Sequence, residues 1–334
     1  MLTVGLIGAG AMARVHAERV DAIDGVEITA VASPNTAASF ADAHVPGAAV
    51  YSDVESLCED RSVDVIDVCT PTHMHRDIVE VAAAAGCHVL CEKPIARTVA
   101  GAEAIAEAVA DANVVFMVGH AIRFFPEYVE AKRLVDEGAI GEPGVVRARR
   151  SVSFGGERGW QGDERKSGGV LLDLAVHDLD YLRWVVGDVE RVFTRISKWG
   201  DDGENHASTT TLRFENGAVG HVESTWMRLP TLPFTAAFEL AGDEGLVEYD
   251  TGEVEPVAIR DADRVHVPTD PVGHDVPLAR DGYRTQLDHF FDCVRGDEDP
   301  LVTVDDAIEA LRLSLAAIES AETGLPVAVE EVGQ

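Results

Sequence analysis

Lys93 is the first residue whose type and position suggest chemistry. It stands in the tripeptide Glu92-Lys93-Pro94, directly after the apolar run 87–91, which predicts a buried strand. The chain has only four lysines among its 27 basic residues, and one of them follows this strand. A lysine where a parallel strand opens into a ligand crevice could hydrogen-bond a reacting oxygen and stabilise its negative charge. A solvated loop lysine is the alternative, and this tripeptide alone does not separate the two.

Asp173 and His177 form the second candidate group. They lie within 167–180, where the glycine pair Gly168-Gly169 and the spacing of leucines and valines predict one helix. Residues four apart share a helix face, and Asp180 continues that face. A carboxylate one turn from an imidazole can orient the ring for proton transfer. An ordinary helical Asp–His pair is the alternative.

A glycine-rich turn near residue 8 predicts dinucleotide binding. The apolar strand 2–7 runs into Gly8-Ala9-Gly10-Ala11-Met12-Ala13, and a helix follows. This is the G-x-G-x-x-A pattern in the strand–turn–helix context that it requires. The first glycine allows the tight turn, the second lets a pyrophosphate approach the backbone, and the helix amides receive its charge. The predicted cofactor contacts here are Gly8, Gly10, Ala11 and Met12.

The end of the second predicted strand, 26–32, bears on the choice between NAD and NADP. A carboxylate at this point would bind the ribose 2′-hydroxyl of NAD and repel a 2′-phosphate. The chain instead has Ser33-Pro34-Asn35-Thr36, so Ser33 and Asn35 are the predicted ribose contacts. No lysine or arginine follows until Arg61, and Arg14 is the nearest basic candidate. The missing carboxylate favours NADP over NAD as the preferred NAD(P) cofactor.

Strands and helices alternate through the first 120 residues, which predicts an α/β fold with a doubly wound parallel sheet, a Rossmann domain. Its third strand runs into Thr70-Pro71, and His75 follows at the strand-to-helix turn. We expect these three residues, with Glu92 and Lys93, to face the cofactor crevice. Several histidines and cysteines lie nearby, but their spacing matches no recognised zinc pattern, so no metal site is predicted.

Taken together, these motifs resemble the Gfo/Idh/MocA oxidoreductase family: the glycine turn at 8–13, Thr70-Pro71 with His75, Glu92-Lys93-Pro94, and Gly168-Gly169 through Asp173 and His177. The resemblance implies a Rossmann domain followed by a domain built on a large, mostly antiparallel open sheet. It implies NAD(P)-dependent oxidation of sugars, cyclic polyols and related alcohols. It also implies that Lys93, Asp173 and His177 are the catalytic set, and that the Lys93-Pro94 bond is cis.

The rest of the chain fits a second, α+β domain. Alternating segments of strand type are separated by turn residues, and Asn216-Gly217 is a strong hairpin pattern. Helical patterns at about 283–295 and 304–322 close the chain. We place the domain boundary near residue 121, which gives a cofactor domain at 1–121 and a substrate and oligomerisation domain at 122–334. An open sheet face would be an assembly surface, so a homodimer or homotetramer is predicted.

Composition indicates the environment. The chain of 334 residues has 59 acidic and 27 basic residues and a formal charge of −32, which is typical of a protein that works in high salt. An acidic surface kept for solubility is the alternative. Such a surface argues against nucleic acid as a partner. Five irregularly spaced cysteines, no basic leader and no apolar run of membrane length predict a cytoplasmic protein without a disulfide framework.

The sequence predicts a mechanism more clearly than a substrate. A substrate hydroxyl carbon would exchange a hydride with the nicotinamide, while His177 acts as general base, Asp173 orients it and Lys93 stabilises alkoxide charge. Arg158, Trp160 and Tyr283 are further predicted substrate contacts. Three alternatives stay open: transient NAD redox for elimination or glycoside cleavage, a non-catalytic dinucleotide sensor, and a reductase of keto sugars or imines.

Overall fold

The computed structural model describes residues 1–59, 63–153, 159–200, 205–229, 233–252, 257–260, 265–266 and 281–333. The chain divides into two compact units. The first contains Met1–Phe124 together with Asp281–Ile308, and the second contains Phe125–Arg280 together with Glu309–Gln334. The first unit therefore also contains a segment from near the end of the chain, Asp281–Ile308. The single predicted boundary at residue 121 assigned this segment to the second domain.

A six-stranded parallel sheet forms the centre of the first unit, in the order β3-β2-β1-β4-β5-β6. The four residues of β4 are all buried, as expected for a sheet covered on both faces. This confirms the predicted doubly wound sheet. The strands are β1 (Leu2–Ile7), β2 (Val26–Ala32), β3 (Ala49–Tyr51), β4 (Val65–Val68), β5 (His88–Glu92) and β6 (Phe116–Gly119).

Crossover helices connect these strands. The longest of them is capped by Thr98, whose Oγ1 accepts the Gly101 N–H at 3.1 Å. Two short helices and β3 lie between β2 and β4, a stretch for which the sequence predicted no elements. The helices are α1 (Ala11–Val20), α2 (Ala37–His44), α3 (Val54–Glu59), α4 (His75–Ala84) and α5 (Val99–Ala112).

The second unit contains a nine-stranded mixed sheet in the order β14-β13-β12-β11-β7-β10-β9-β8-β15. Among the strands that the structure describes here, β7 and β10 are the one parallel pair, which confirms the predicted, mostly antiparallel sheet. The predicted hairpin at Asn216-Gly217 joins β9 to β10, and Gly217 has the positive φ of 92° that this turn needs. The strands are β7 (Pro143–Ser153), β8 (Val189–Trp199), β9 (Asn205–Phe214), β10 (Val219–Met227), β11 (Thr235–Gly242), β12 (Leu246–Asp250), β13 (Val257–Arg260), β14 (Val265–His266) and β15 (Val327–Ala328).

Alternating burial along β9 and β10 separates a covered face of this sheet from an open one. Helices α8 and α9 pack on the covered face, against β7, β9 and β10. The helices of this region are α6 (Pro126–Asp136), α7 (Glu164–Ser167), α8 (Gly169–Asp173) and α9 (Ala175–Val186). The open face carries cross-strand ion pairs such as Arg149–Asp250.

Two long helices lie between β14 and β15 in the chain, close to the predicted bounds: α10 (Gly282–Arg295) and α11 (Val304–Thr323). Helix α10 packs on α1, where Asp281 pairs with Arg19 at 2.5 Å and Arg284 Nη1 donates to the Arg19 carbonyl oxygen. Within the described part of the chain, no helix is long and apolar enough to cross a membrane.

Candidate active site

The glycine turn between β1 and α1 has the geometry expected of a phosphate site. Gly8 has a φ of 112°, and a Cβ there would lie 2.4 Å from the Cys69 carbonyl oxygen, so no other residue fits. A Cβ on Gly10 would meet no described atom within 4 Å, so the space in front of its backbone is open. Ala11 and Met12 begin α1, whose first turn has neither a side-chain cap nor an acidic residue. Its amides are therefore available to an anion.

Thr70 and Pro71 lie where β4 ends, on the strand next to β1. Thr70 Oγ1 is buried and has no hydrogen-bond partner among the described residues. A buried hydroxyl without a partner is unusual, and a bound molecule that supplies one would satisfy it. The open glycine turn, the uncapped helix start and this hydroxyl together fit a dinucleotide at this edge of the sheet.

His75 is fully buried and supports the same edge. Its Nδ1 lies 2.9 Å from the Pro94 carbonyl oxygen, and its Nε2 lies 2.9 Å from the Thr70 carbonyl oxygen. Burial lowers the pKa of His75 below its ordinary value, although both carbonyls favour the charged ring. The imidazole therefore joins the segments after β4 and β5. Its predicted contact with the cofactor stays a prediction.

Ser33 and Asn35 follow β2, as the sequence predicted. Ser33 Oγ lies 2.8 Å from Thr36 Oγ1, and Asn35 is exposed. Neither side chain carries a charge that would repel a 2′-phosphate. Their predicted contact with the ribose stays a prediction.

Lys93 lies directly after β5 and is half-buried, and its peptide bond to Pro94 is cis. Glu92 is the last residue of the strand and is 6% exposed. Its Oε2 accepts the Lys93 backbone N–H at 3.2 Å, and its Oε1 lies 3.4 Å from His16 Nε2. Burial raises the pKa of Glu92, but the charges of His16 and Lys93 outweigh this and lower it overall. Glu92 is thus an ionised carboxylate that holds the Lys93 backbone.

The predicted single helix over 167–180 is wrong. The structure has two helices, α8 and α9, interrupted at Leu174, whose φ of −109° departs from helical geometry. Asp173 is the last residue of α8, and His177 lies in the first turn of α9. The two residues do not belong to one regular helix, so the expectation that they share a helix face because they are four apart does not apply to them. The glycine pair is required: Gly168 and Gly169 have φ values of 82° and 70°.

Two contacts in this region were not predicted. Gln161 Nε2 donates to Asp173 Oδ2 at 3.4 Å, which makes the amide a neighbour of the predicted carboxylate. Asp178, the residue after His177, accepts two hydrogen bonds from Arg150 of β7, at 2.8 and 3.0 Å. Both side chains of this pair are buried. The ion pair fixes α9, and with it the segment that carries His177, against the sheet. No local spacing in the sequence indicated either contact.

The other predicted substrate contacts belong to different elements of the structure. Trp160 is half-buried in a short 3₁₀ helix, Gly159–Gly162, next to Gln161. Tyr283 lies in the first unit at the start of α10, with Arg19 over its ring. Arg19 is in the last turn of α1, ~12 Å along the helix from the glycine turn. Arg158 lies outside the described residues. The substrate roles of all three stay predictions.

Comparison with known proteins agrees with these features. Residues 2–120 match the profile of the GFO_IDH_MocA oxidoreductase family, NAD-binding Rossmann fold, and residues 132–329 match the profile of its C-terminal alpha/beta domain. The chain belongs to the Gfo/Idh/MocA oxidoreductase family. Both units therefore have counterparts in that family.

Three relatives illustrate the range of this family. The chain is 29% identical to myo-inositol 2-dehydrogenase of Thermotoga maritima, with 99% of each chain covered. It is 28% identical to D-xylose 1-dehydrogenase (NADP⁺) 2 of Haloferax volcanii, over 91% of this chain and 92% of that one. A levoglucosan dehydrogenase in complex with NADH and levoglucosan superposes with a TM-score of 0.86, at 28% identity over 99% of this chain and 100% of that chain.

Proposed function

We propose that this protein is an NAD(P)-dependent dehydrogenase that transfers a hydride between the nicotinamide and a carbinol carbon of a sugar or cyclic polyol. The observation that carries the proposal is the placement of Lys93. It follows β5, two strands from the glycine turn after β1, at the same edge of one parallel sheet. The names of the relatives, which include inositol, xylose and levoglucosan dehydrogenases, support the substrate class.

The proposal gives each residue a task. The nicotinamide, when bound, accepts or supplies the hydride. The amides at the start of α1 and the open backbone at Gly10 hold the pyrophosphate. Lys93 donates a hydrogen bond to the reacting oxygen and stabilises alkoxide charge as it develops. His177 takes the hydroxyl proton, and Asp173 orients the ring or binds a neighbouring hydroxyl.

The cofactor preference is the finer part of the proposal. With Ser33 and Asn35 after β2, no carboxylate opposes a 2′-phosphate at that point. We therefore propose that NADP is used at least as well as NAD. The NADP⁺ in the name of the xylose dehydrogenase relative supports this preference.

We also propose that the protein works in a reducing compartment at high salt, as a cytoplasmic homodimer or homotetramer. All five cysteines are free thiols, which fits a reducing cytoplasm. The charge of −32 fits high ionic strength, which screens self-repulsion. The open face of the second sheet is the proposed assembly surface. Light scattering in molar KCl, on the wild type and on Thr211→Arg in that face, tests the assembly: a wild-type monomer would contradict it.

Activity on a panel of inositols, pentoses, hexoses and anhydro-sugars tests the central proposal. In molar KCl with NADP or NAD, formation of reduced cofactor should follow at least one of these classes. Lys93→Ala and His177→Ala should each lower kcat by roughly 10²–10⁴-fold, the usual contribution of a positioned acid or base. Lys132→Ala is the matched control, because Lys132 pairs with Asp136 along α6 and has no proposed role in the reaction.

The affinity for reduced cofactor should change far less in these variants, since phosphate binding depends on the glycine turn. The effects of the two variants should not add, because both act on one proton and one oxygen. Near-normal turnover of Lys93→Ala or His177→Ala would refute the assignment. Product formation without net reduced cofactor would instead indicate transient redox during elimination or glycoside cleavage.

A further inference from the structure

His16 is a fully buried imidazole that the proposed mechanism does not use. It lies on α1, one turn beyond the glycine turn, and faces two carboxylates. Its Nδ1 lies 2.9 Å from Asp67 Oδ2 on β4, and its Nε2 lies 3.4 Å from Glu92 Oε1 on β5. The ring therefore connects the first crossover helix to two adjacent strands of the sheet.

The acceptors on both sides determine the charge of this ring. A neutral imidazole carries one N–H, whereas an imidazolium donates from both nitrogens. His16 Nε2 and Glu92 Oε1 are both buried and have no hydrogen-bond partner among the described residues, so their contact at 3.4 Å is an ion pair rather than a hydrogen bond. Burial lowers the pKa of His16, but the charge of Asp67, the contact with Cys69 and the hydrogen bonds to both outweigh it, so the pKa is raised well above 6.5. With carboxylates on two sides, the ring is favoured in its imidazolium form.

A metal ion is a poor alternative occupant of this cluster. His16, Asp67 and Cys69 present ligand-type atoms within 4.8 Å of one another. However, the imidazole and the Asp67 carboxylate are already in hydrogen-bond contact, and Cys69 Sγ lies 3.5 Å from the same ring nitrogen. Burial raises the pKa of Cys69 to about 12, so its thiol is protonated at neutral pH. A hydrogen bond between His16 and Asp67 accounts for this geometry.

Glu92 connects His16 to Lys93. One carboxylate oxygen of Glu92 faces His16, and the other accepts the backbone N–H of Lys93. Gly119 on β6 leaves room for this carboxylate, since a Cβ there would lie 3.2 Å from Glu92 Oε1. Glu92 therefore lies between the His16 ring on one side and the Lys93 backbone on the other.

We propose that His16, as a buried imidazolium, is a positioning residue for Lys93: it holds Glu92, which in turn fixes the backbone and the electrostatic environment of the lysine. This inference rests on the proposed role of Lys93 in the reaction. It assigns a supporting role to His16 on α1, which lies 77 positions before Lys93 in the chain.

Kinetics of two variants test the proposal. His16→Gln removes the cation, and Glu92→Gln keeps the side-chain shape and an oxygen for the Lys93 N–H but removes the charge. Each should lower kcat by at least about 10-fold and change the KM for substrate by no more than about 2-fold. His289→Gln is the matched control: it removes another histidine–carboxylate pair, His289–Glu298, from the same unit and should leave kcat unchanged.

Competitive acetylation of the lysines at one fixed pH gives a readout that needs no substrate. A buried carboxylate that loses its cation takes up a proton, so both variants should reduce the negative charge beside Lys93. The rate at which Lys93 is labelled should then rise relative to the wild type, because the ammonium form loses a neighbouring anion. The exposed Lys166 is the internal reference, and its labelling rate should not change.

The outcomes separate the two proposals. Normal kcat and an unchanged Lys93 labelling rate in Glu92→Gln would overturn the positioning role, even if His16→Gln fails to fold. A raised labelling rate in these variants, together with unimpaired turnover of Lys93→Ala, would support the positioning of Lys93 and refute its role in the reaction. Lower thermal stability with unchanged kcat and labelling rate would show that the cluster is structural only, and would also overturn the proposal.

Discussion

Removing the charge of Asp178 should destabilise the second unit far more than removing that of Asp250. The two carboxylates pair with adjacent arginines of one strand, Arg150 and Arg149. The side chains of the Arg150–Asp178 pair are 7% and 2% exposed, whereas those of the Arg149–Asp250 pair are 50% and 31% exposed. Asp178→Asn and Asp250→Asn are therefore the same substitution, in the same sheet, in two different dielectric environments.

The magnitudes follow from that difference. Removing one partner of a buried ion pair destabilises by ~3–5 kcal/mol, because the remaining charge stays buried. Asparagine keeps one acceptor for Arg150, which also donates to Tyr128 Oη at 3.2 Å, so we expect a loss of ~3 kcal/mol for Asp178→Asn. An exposed pair contributes ~0–1 kcal/mol, so Asp250→Asn should stay within that range at protein concentrations at which no second copy of the chain covers the open face.

Tryptophan fluorescence during urea unfolding in molar KCl reports on the second unit, which contains both carboxylates. All four tryptophans, at 160, 184, 199 and 226, belong to the second unit. The free energy of unfolding of each variant is compared with that of the wild type at equal m-value. The double variant Arg150→Met with Asp178→Leu should recover most of the loss, because it removes both buried charges.

Two results would refute this reasoning. One is a loss for Asp178→Asn within 1 kcal/mol of that for Asp250→Asn. The other is a double variant as unstable as Asp178→Asn, which would mean that the substitutions act through packing. Because Asp178 is the neighbour of His177 on α9, kcat of Asp178→Asn should also fall, and an unchanged kcat would show that this ion pair does not position the histidine.

Three further predictions concern the cofactor, salt and pH. Ser33→Asp should shift preference from NADP toward NAD by charge repulsion, measured as the ratio of kcat/KM values; a clear NAD preference of the wild type would contradict the expectation. With a charge of −32, the protein should unfold or dissociate in dilute buffer and recover in molar KCl, and a melting temperature independent of salt would show otherwise. The free energy of unfolding should be highest near pH 6.5. Above that pH it should fall, because the native state, in which the pKa of His16 is raised, keeps a proton that the unfolded state has lost. Below that pH it should also fall, because the unfolded state binds a proton that buried His75, whose pKa is lowered, does not take up in the native state. Urea titrations across pH check this, and His16→Gln should flatten the alkaline side.

The elements best predicted from the sequence are those that a local pattern defines. The bounds of β1 and β2 match the predicted strands residue for residue, because each is a short apolar run closed by turn residues. The hairpin at Asn216-Gly217 was confirmed for the same reason. Helices α2 and α3, with eight and six residues, and the three residues of β3 were missed, since so few residues establish no period.

The interruption at Leu174 shows where periodicity misleads. The spacing of apolar residues continues across the break, so the sequence predicts one helix. In the structure, α8 packs on β9 and β10, while α9 packs on β10 and β7 and is held to β7 by Arg150 and Asp178. The two helices share β10 but otherwise contact different strands, and these contacts are not visible from the helical segment alone.

For the candidate site, the sequence by itself determined which residues follow each strand: the glycines after β1, Thr70-Pro71 after β4 and Lys93-Pro94 after β5. These positions depend on backbone conformation and on local order along the chain. The tertiary structure alone decided which buried charges meet. His16 reaches Asp67 across 51 residues, Arg150 reaches Asp178 across 28, and Tyr283 lies against α1 rather than beside the glycine turn. Buried ions pair with the charges that lie nearest in space. Crossover helices and strand pairing set those distances, and the spacing of residues along the sequence does not encode them.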